Sequence, residues 1–357
     1  MATSKKAEPV SGRTGERSKP KGSRESRPQV LPSTDCWRVD EAFGGALLVD
    51  HAAGQLLISK EQAVDLIDFG SVYVEGRQER NPARSLAGGE EIRVCWPWKG
   101  IRRFYEIDPT RILYEDRYLL AYDKEASIPS QQTPSDGYNN LFAALYRYLE
   151  RKGFSEPYVA LHHRLDQETS GVMVFALDRS ANHNLGNAFM HRKVIKDYLA
   201  WVDGIPSRNE WMAEDDIGRK NGRYCVCPKG QGKPAQTAFT VICREETQTD
   251  VRKPTERLEQ SGETGQAEQM NRPARSLVLA RPLTGRTHQI RLHLAASGHP
   301  VLGDRLYGGK VAKRLHLHAY RIELPHPITR KQLTLTACVP PDWPPPHSVA
   351  IPDQRHT

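Results

Sequence analysis

Apolar residues recur at helical spacing near residue 60, and two short alternating segments follow. The residues that share one face of this predicted helix are Ala63, Leu66 and Ile67. Ser59 can cap the helix, and Phe69-Gly70 can end it. Residues 72–74 and 92–94 alternate as short strands do, with glycine turns between them. We therefore expect a small α+β unit over residues 35–100.

Strand and helix patterns are interspersed beyond residue 110. Strands are predicted over residues 112–115, 119–122, 171–177, 196–202, 276–280 and 315–320, and helices over residues 141–149, 180–191 and 287–297. Many strands with few helices predict a mixed α+β fold with a largely antiparallel sheet, over residues 101–345. Residues 97–110 resemble a linker, and the polar residues 245–273 indicate a surface insertion.

Charge is distributed unevenly along the chain. The 357 residues have a formal net charge of +8, which favours a polyanionic partner such as a nucleic acid. Residues 1–30 contain eight Lys or Arg and three Asp or Glu. Residues 1–34 contain almost nothing apolar, so we expect a disordered basic tail, with a second tail over residues 346–357. A solvated tail and an RNA-binding arm both fit the first segment.

The six cysteines are scattered and include no CxxC pair, and the Cys225-Val226-Cys227 spacing does not suit a usual zinc site. We therefore expect a reduced, cytoplasmic protein. No apolar run approaches the ~20 residues that span a bilayer. The first residues also lack the apolar core of a secretory signal. We expect a monomer without a membrane partner.

A charged loop precedes the apolar strand predicted at residues 171–177. Asp166 lies on this loop at the edge of the sheet, where catalytic groups are often held. Arg164 stands two residues earlier, and an Arg-x-Asp before a strand is most often a local ion pair. The loop alone therefore leaves catalysis open.

Residues 284–293 form a second polar cluster. Gly285 allows a tight turn, and Thr287 can cap the predicted helix that follows. His288 and Arg291 are three residues apart and share a helix face. A buried Arg needs a carboxylate, for which Asp166 is a candidate, although another acid or a phosphate would also serve.

A third cluster lies on the strand predicted at residues 196–202. Tyr198 shares a strand face with Ala200 and Val202. A tyrosine on a strand usually only packs, so this cluster alone does not indicate a site.

Four segments occur together in a fixed order. They read His-Arg-Leu-Asp-x-x-Thr-Ser-Gly from residue 163, Lys-x-Tyr-x-Ala-x-Val-x-Gly from 196, Gly-Arg-Thr-His-Gln-Ile-Arg-x-His from 285 and Pro-Val-Leu-Gly-Asp-x-x-Tyr-Gly from 300. With the opening at residues 112–124, they resemble the RluA family of pseudouridine synthases over about residues 112–328. The resemblance implies the pseudouridine synthase fold and conversion of uridine to pseudouridine in ribosomal RNA of the large subunit or in transfer RNA.

The same resemblance implies roles for individual residues. The catalytic positions are Asp166, which attacks the target nucleotide, Tyr198, which stacks on its ring, and Arg291, which pairs with the aspartate. The substrate-binding positions are Arg164, which takes the place of the flipped base, Arg286, which contacts the RNA backbone, Leu317, which forms an apolar wall, and His288.

Residues 56–94 resemble an S4 RNA-binding domain. The resemblance consists of the helix, then Gly-x-Val-x-Val-x-Gly, then Gly-Gly-Glu-Glu-Ile. S4 helices usually present several Lys or Arg, whereas this one offers Lys60 beside Glu61, Asp65 and Asp68. RNA binding through this helix and a mere packing role both stay open.

The implied reaction cuts the N1–C1′ bond and rejoins the uracil through C5. It involves no redox change, so no cofactor or metal is implied. A carboxylate can attack C1′ or take a proton at C2′, and the sequence does not choose between them. A cation such as Arg291 would favour ionised Asp166, and its fork suits this better than Lys. Flipping the base costs about a few kcal/mol.

Two other interpretations fit part of the sequence. A metal hydrolase could use the histidines at positions 162, 163, 288 and 293, but the last two are poorly spaced on a helix and no carboxylate motif accompanies them. A catalytically silent RNA-binding or ribosome-assembly protein would be expected to have lost at least one of the three catalytic positions, and all three are present.

Overall fold

The computed structural model describes residues 34–97, 99–246, 248–249 and 271–343. Nearly all of the two predicted tails and most of the predicted insertion lie outside these ranges. The described residues form a four-stranded sheet, an eleven-stranded sheet and a two-stranded ribbon. No helix among them is long and apolar enough to cross a membrane.

The four-stranded sheet belongs to a small amino-terminal unit. It contains a 3-10 turn at Glu41–Phe43, helices α1 (Leu48–Leu56) and α2 (Lys60–Asp68), and strands β1 (Thr34–Arg38), β2 (Val72–Val74), β3 (Arg77–Gln78) and β4 (Glu91–Cys95). The strand order is β1-β4-β2-β3, with antiparallel pairing throughout. Buried residues of both helices pack on the sheet in one apolar cluster.

Helix α2 confirms the prediction from the apolar pattern. Ser59 Oγ accepts a hydrogen bond from Gln62 N at 3.2 Å, and Gln62 Oε1 accepts one from Ser59 N at 3.1 Å, which completes a capping box. The predicted apolar face is buried. Helix α1 was not predicted, because Leu47 at its start provides no side-chain cap and Gly54 interrupts its interior.

The large unit contains most of the chain. Its elements are a 3-10 turn (Pro109–Arg111), β5 (Ile112–Glu115), β6 (Leu119–Lys124), α3 (Leu141–Arg151), β7 (Ala160–Leu161), β8 (Ser170–Ala176), α4 (Arg179–Met190), β9 (Ile195–Asp203), β10 (Glu210–Lys220), β11 (Arg223–Cys227), β12 (Lys233–Glu245), β13 (Gln248–Thr249), β14 (Asn271–Arg272), β15 (Arg275–Pro282), α5 (Gln289–Ala296), β16 (Leu317–Pro325) and β17 (Gln332–Thr336). Each helix and strand predicted here overlaps an observed one. Strands β10 to β12 were not predicted, because they contain few strongly apolar residues and their apolar-polar alternation is weak.

The eleven-stranded sheet is mixed and largely antiparallel, as predicted. Its order is β11-β10-β12-β15-β9-β16-β8-β6-β5, with β17 beside β16 and β7 beside β8. Among the described strands only β8 and β16 pair in parallel. There Gly171 has a φ of 114°, and a Cβ would lie 2.2 Å from the carbonyl oxygen of Ala319. Only glycine allows the two backbones to approach so closely.

The described residues 99–108 of the predicted linker form no helix or strand and join the two units, but they pack closely on both. Tyr105 and Ile107 are buried in the apolar cluster that α3 shares with the sheet. Arg147 on α3 donates a hydrogen bond from Nη2 to the carbonyl oxygen of Tyr105 at 2.7 Å. Ile101, by contrast, packs against the apolar cluster of the small unit, so the segment contacts both units.

The small unit contacts the large unit through the end of α2. The ring of Phe69 stacks on that of Tyr138, with 6.0 Å between centroids. The backbone N–H of Gly137 donates to the carbonyl of Phe69 at 2.7 Å. Ser71 Oγ donates to the carbonyl of Ser135 at 2.6 Å. Residues 133–138 of the large unit therefore form the docking loop for the small unit.

Candidate active site

One cleft gathers most of the predicted site residues, and we call it the first cleft. It is lined by Asp166, Tyr198, Arg286, His288, Arg291 and Leu317, among others. They come from the loop before β8, from β9, from the start of α5 and from the start of β16. Arg164, the seventh predicted residue, is exposed and does not line the cleft.

Two buried polar side chains, Ser130 and Lys124, form hydrogen bonds to the backbone of the loop that carries Asp166. Ser130 Oγ donates to the carbonyl of Leu165 at 2.7 Å and accepts from its N–H at 3.1 Å. Lys124 Nζ donates to the carbonyls of Gln167, Ile128 and Glu125. Burial lowers the pKa of Lys124 to about 7. Because both contacts go to backbone atoms, they fix the path of the loop and leave the Asp166 side chain free.

Arg291 is fixed by a second acid that the sequence did not assign. Its Nε and Nη2 donate to the two oxygens of Asp304 at 2.7 and 2.8 Å, a bidentate pair with almost no solvent exposure. Its Nη1 faces Asp166 Oδ2 at 3.4 Å. Burial alone would lower the pKa of Arg291, but the hydrogen bonds and charge of Asp304 outweigh it and raise that pKa. The guanidinium therefore stays charged beside Asp166.

The start of α5 differs from the prediction that Thr287 caps it. His288 occupies the capping position in the left-handed region, with a φ of 56°, and no side chain accepts a capping hydrogen bond. Gln289 organises the turn instead, because its Oε1 accepts from Arg286 N at 3.0 Å and from Thr284 Oγ1 at 2.7 Å. The left-handed residue turns the chain between Thr287 and the helix, so the helix begins later than predicted.

His288 connects Asp166 to a tyrosine. Its Nδ1 lies 2.7 Å from the hydroxyl oxygen of Tyr307, and its Nε2 lies 3.9 Å from Asp166 Oδ2. Burial lowers the pKa of His288 and Arg291 lowers it further, against the opposing charge of Asp166. Burial also raises the pKa of Tyr307 to about 12. The two side chains therefore form a neutral hydrogen-bonded pair at the edge of the first cleft.

Tyr198 and Leu317 form the apolar wall of the first cleft. Leu317 pairs with Ala200 across β16 and β9, and both Leu317 and Tyr198 belong to one apolar cluster. Burial and the charge of Asp166 raise the pKa of Tyr198, so its phenol stays protonated. Within the described ranges no residue is seen to hydrogen-bond its hydroxyl. The ring face and the hydroxyl are therefore both available to a bound molecule.

Asp304 and Tyr307 are two residues of the site that were not predicted from the sequence, although both stand in the Gly-Asp-x-x-Tyr-Gly segment. The pattern that could have identified them is an acid and an aromatic residue in a turn a few residues after α5. Asp304 also accepts hydrogen bonds from the backbone N–H groups of Leu306 and Tyr307. Its position therefore depends on this turn, which local sequence does not place against Arg291.

The histidines of the alternative metal site lie in separate environments. His162 bonds to Asn182, and His163 Nε2 accepts from the backbone N–H of Val174. His293 Nδ1 lies 2.9 Å from Thr237 Oγ1. In the part of the chain that the structure describes, no group of three or more His, Cys, Asp or Glu could hold a metal ion.

The first cleft combines a carboxylate, a fixed cation and an apolar wall. The side chain of Asp166 is 23% exposed, whereas that of Arg291 is 7% exposed. The carboxylate is therefore accessible while its counterion is not. Such a site can direct an ionised carboxylate at a carbon of a bound molecule and hold a flat ring against Tyr198.

Comparison with known proteins identifies the family. The family model of RNA pseudouridylate synthase matches residues 118–296. The uncharacterized RNA pseudouridine synthase YjbO of Bacillus subtilis is 31% identical, over 83% of this chain and 96% of its own length. The dual-specificity RNA pseudouridine synthase RluA of Haemophilus influenzae is 34% identical, over 63% and 91%. The ribosomal large subunit pseudouridine synthase D of Pasteurella multocida is 29% identical, over 83% and 88%. The chain belongs to the RluA family of RNA pseudouridine synthases, isomerases that act on RNA.

Proposed function

We propose that this enzyme isomerises a specific uridine of structured RNA, with Asp166 as the residue that attacks the target nucleotide. The observation that carries the proposal is the accessible Asp166 carboxylate, 3.4 Å from the buried guanidinium of Arg291. That cation attracts the carboxylate and orients it in the cleft. The apolar wall formed by Tyr198 and Leu317 suits the flat face of a uracil.

The reaction needs only groups that the cleft contains. Asp166 acts on the ribose, by attack at C1′ or by removal of a proton at C2′, and the N1–C1′ bond breaks. The freed uracil turns against Tyr198, and C5 bonds to C1′. On the first route the Asp166–C1′ bond breaks as this bond forms, and on the second Asp166 returns the proton to C2′. The C5 proton leaves and N1 takes up a proton, so the atoms balance without an electron acceptor or an added group. We therefore propose a mechanism without cofactor or metal.

The target uridine must leave its stack or pair to reach Asp166. Flipping costs about a few kcal/mol, which contacts with the vacated space can offset. Arg164 supports this step, because it is exposed two residues from Asp166 and outside the cleft. Arg286, exposed at the rim, is placed to contact the RNA backbone.

We propose ribosomal RNA of the large subunit, or transfer RNA, as the substrate. The name of the Pasteurella multocida relative, a ribosomal large subunit pseudouridine synthase, supports the first. We further propose that the small unit is an S4-like domain, supported by the order of α2, the β2–β3 hairpin and β4. We also propose a monomeric, cytoplasmic enzyme; its six unpaired cysteines support the reducing compartment.

Tritium release tests the function directly. RNA that contains [5-³H]uridine loses tritium when C5 bonds to C1′, so wild-type protein should release tritium from a large-subunit or transfer RNA transcript. Asp166→Asn should release none while it still binds RNA. A transcript deuterated at C2′ should react more slowly only if Asp166 removes that proton. Wild-type protein that binds these RNAs without release would instead support a catalytically silent RNA-binding protein.

A further inference from the structure

The β10–β11 hairpin and the turn after it form the most basic segment near the first cleft. Residues 219–233 contain five Lys or Arg and no Asp or Glu. The five are Arg219, Lys220, Arg223, Lys229 and Lys233. All are exposed, and none forms an ion pair with a described carboxylate. Unpaired exposed cations on one hairpin form a surface that attracts phosphate groups.

A second cleft lies where this hairpin meets the first cleft. Its walls include Arg219, Tyr224, Lys233 and Arg286. Arg286 and Gly285 line both clefts, so the two are contiguous. The second cleft therefore continues the path along which a chain bound at Asp166 would run.

The second cleft contains an aromatic surface as well as charge. The guanidinium of Arg219 lies 4.9 Å from the centre of the Tyr224 ring. The same ring meets His288 edge-on at 5.6 Å, and His288 approaches Asp166. A base can stack on a tyrosine ring or on a guanidinium plane, whereas cations at Lys233 and Arg286 suit the phosphates beside it.

The small unit offers no comparable surface on α2. Its only cation, Lys60, pairs with Asp50 at 2.6 Å. Its acids Asp65 and Asp68 face Arg103 of the following segment. The helix that would bind RNA in an S4-like domain is therefore acidic, whereas the five cations of the hairpin have no described ion pair.

We propose that the second cleft binds a single-stranded nucleotide next to the target uridine, its base against Tyr224 and Arg219 and its phosphates at Lys233 and Arg286. The inference rests on the proposed function, because it takes RNA as the occupant. It places the main phosphate contacts on the hairpin and not on α2.

Binding of a short fluorescein-labelled oligouridylate, followed by anisotropy over a range of salt concentrations, tests the proposal without catalysis. Arg219→Ala/Lys233→Ala should weaken binding about tenfold or more and reduce the slope of log Kd against log salt by about one to two. The control Lys193→Ala/Lys331→Ala removes two exposed lysines outside both clefts and should bind like wild type.

The stacking role has its own test. Tyr224→Leu should weaken binding about tenfold without changing the salt slope, and Tyr224→Phe should restore it. Wild-type protein that does not bind the oligouridylate at low salt, or equal binding by the hairpin and control variants, overturns the proposal. Tritium release by wild type is measured separately. If wild type releases tritium but the hairpin variants bind the oligouridylate as wild type does, only this inference is refuted. If wild type binds through the hairpin but releases no tritium, only the proposed function is refuted.

Discussion

Arg291 is bound more closely by Asp304 than by Asp166. Asp304 accepts two hydrogen bonds from the guanidinium at 2.7 and 2.8 Å, whereas the nearest oxygen of Asp166 lies 3.4 Å away. One acid therefore fixes the cation, and the cation then faces the other acid. This arrangement places the Asp166 carboxylate beside a fixed cation without pairing it fully, which suits a group that must react.

Asp304→Asn should impair both folding stability and catalysis. It leaves the buried Arg291 without its ion pair, which typically costs about 3–5 kcal/mol. We also expect kcat to fall at least about tenfold, because Arg291 loses its orientation. Urea unfolding and single-turnover tritium release measure the two effects. Asp166→Asn, at a more exposed site, is the control and should lose activity with little loss of stability; an Asp304→Asn enzyme with normal kcat would refute the orienting role.

Tyr198 should act mainly through its ring. Since no described residue is seen to bond its hydroxyl, Tyr198→Phe should fold as stably as wild type. Tyr198→Leu keeps an apolar side chain but loses the flat face, and its kcat should fall at least about a hundredfold. Any kcat difference between Phe and wild type then measures the contribution of the hydroxyl. Equal activity of the Leu variant and wild type would exclude stacking.

Arg164→Ala should reduce activity without reducing stability. The side chain is exposed and has no described ion pair, so urea unfolding should change by less than about 0.5 kcal/mol. If Arg164 fills the vacated base position, kcat/KM on a structured transcript should fall more than on an oligonucleotide with an unpaired target. An equal loss on both substrates would argue for simple phosphate binding.

Ser130 should position the catalytic loop. Ser130→Ala removes both of its hydrogen bonds to the Leu165 backbone, a loss of about 1–3 kcal/mol in this buried setting. We expect kcat to fall about tenfold with little change in KM, because the loop moves Asp166 and not the RNA-binding surface. Ser130→Thr keeps the hydroxyl and should recover kcat. A variant that changes KM alone would contradict this role.

His318 should make folding sensitive to acid. Burial lowers its pKa to about 3, and Ser170 Oγ lies 2.9 Å from its Nδ1. Because the unfolded chain takes up this proton near pH 6.5 and the folded chain does not, stability is complete above about pH 6.5 and falls as the pH drops. The slope reaches up to about 1.4 kcal/mol per pH unit.

His318→Asn provides the matched control for this slope, because an amide oxygen can still accept from Ser170 but does not titrate. Urea unfolding between pH 7 and 4 should therefore give a shallower dependence for the variant than for wild type. Parallel curves would show that His318 is already protonated, or does not titrate, over this range.

The sequence by itself determined the elements with a strong local period and the identity of the family. Ser59 and the apolar face predicted helix α2, and the four ordered segments carried the family resemblance. It could not predict β10 to β12, whose residues alternate weakly and depend on neighbouring strands for pairing. The sequence therefore did not predict that the five cations of residues 219–233 lie together on one hairpin.

Only the tertiary structure decided which acid forms the closer ion pair with Arg291 and at which residue α5 begins. The sequence offered Asp166 or another acid as the partner, and the fold brings both to the guanidinium, with Asp304 closer. Thr287 has a good capping side chain, yet His288 adopts the left-handed conformation that displaces it. Periodicity and capping are local and can be read along the chain. The pairing of charges depends on distances across the fold, which neighbouring residues do not encode.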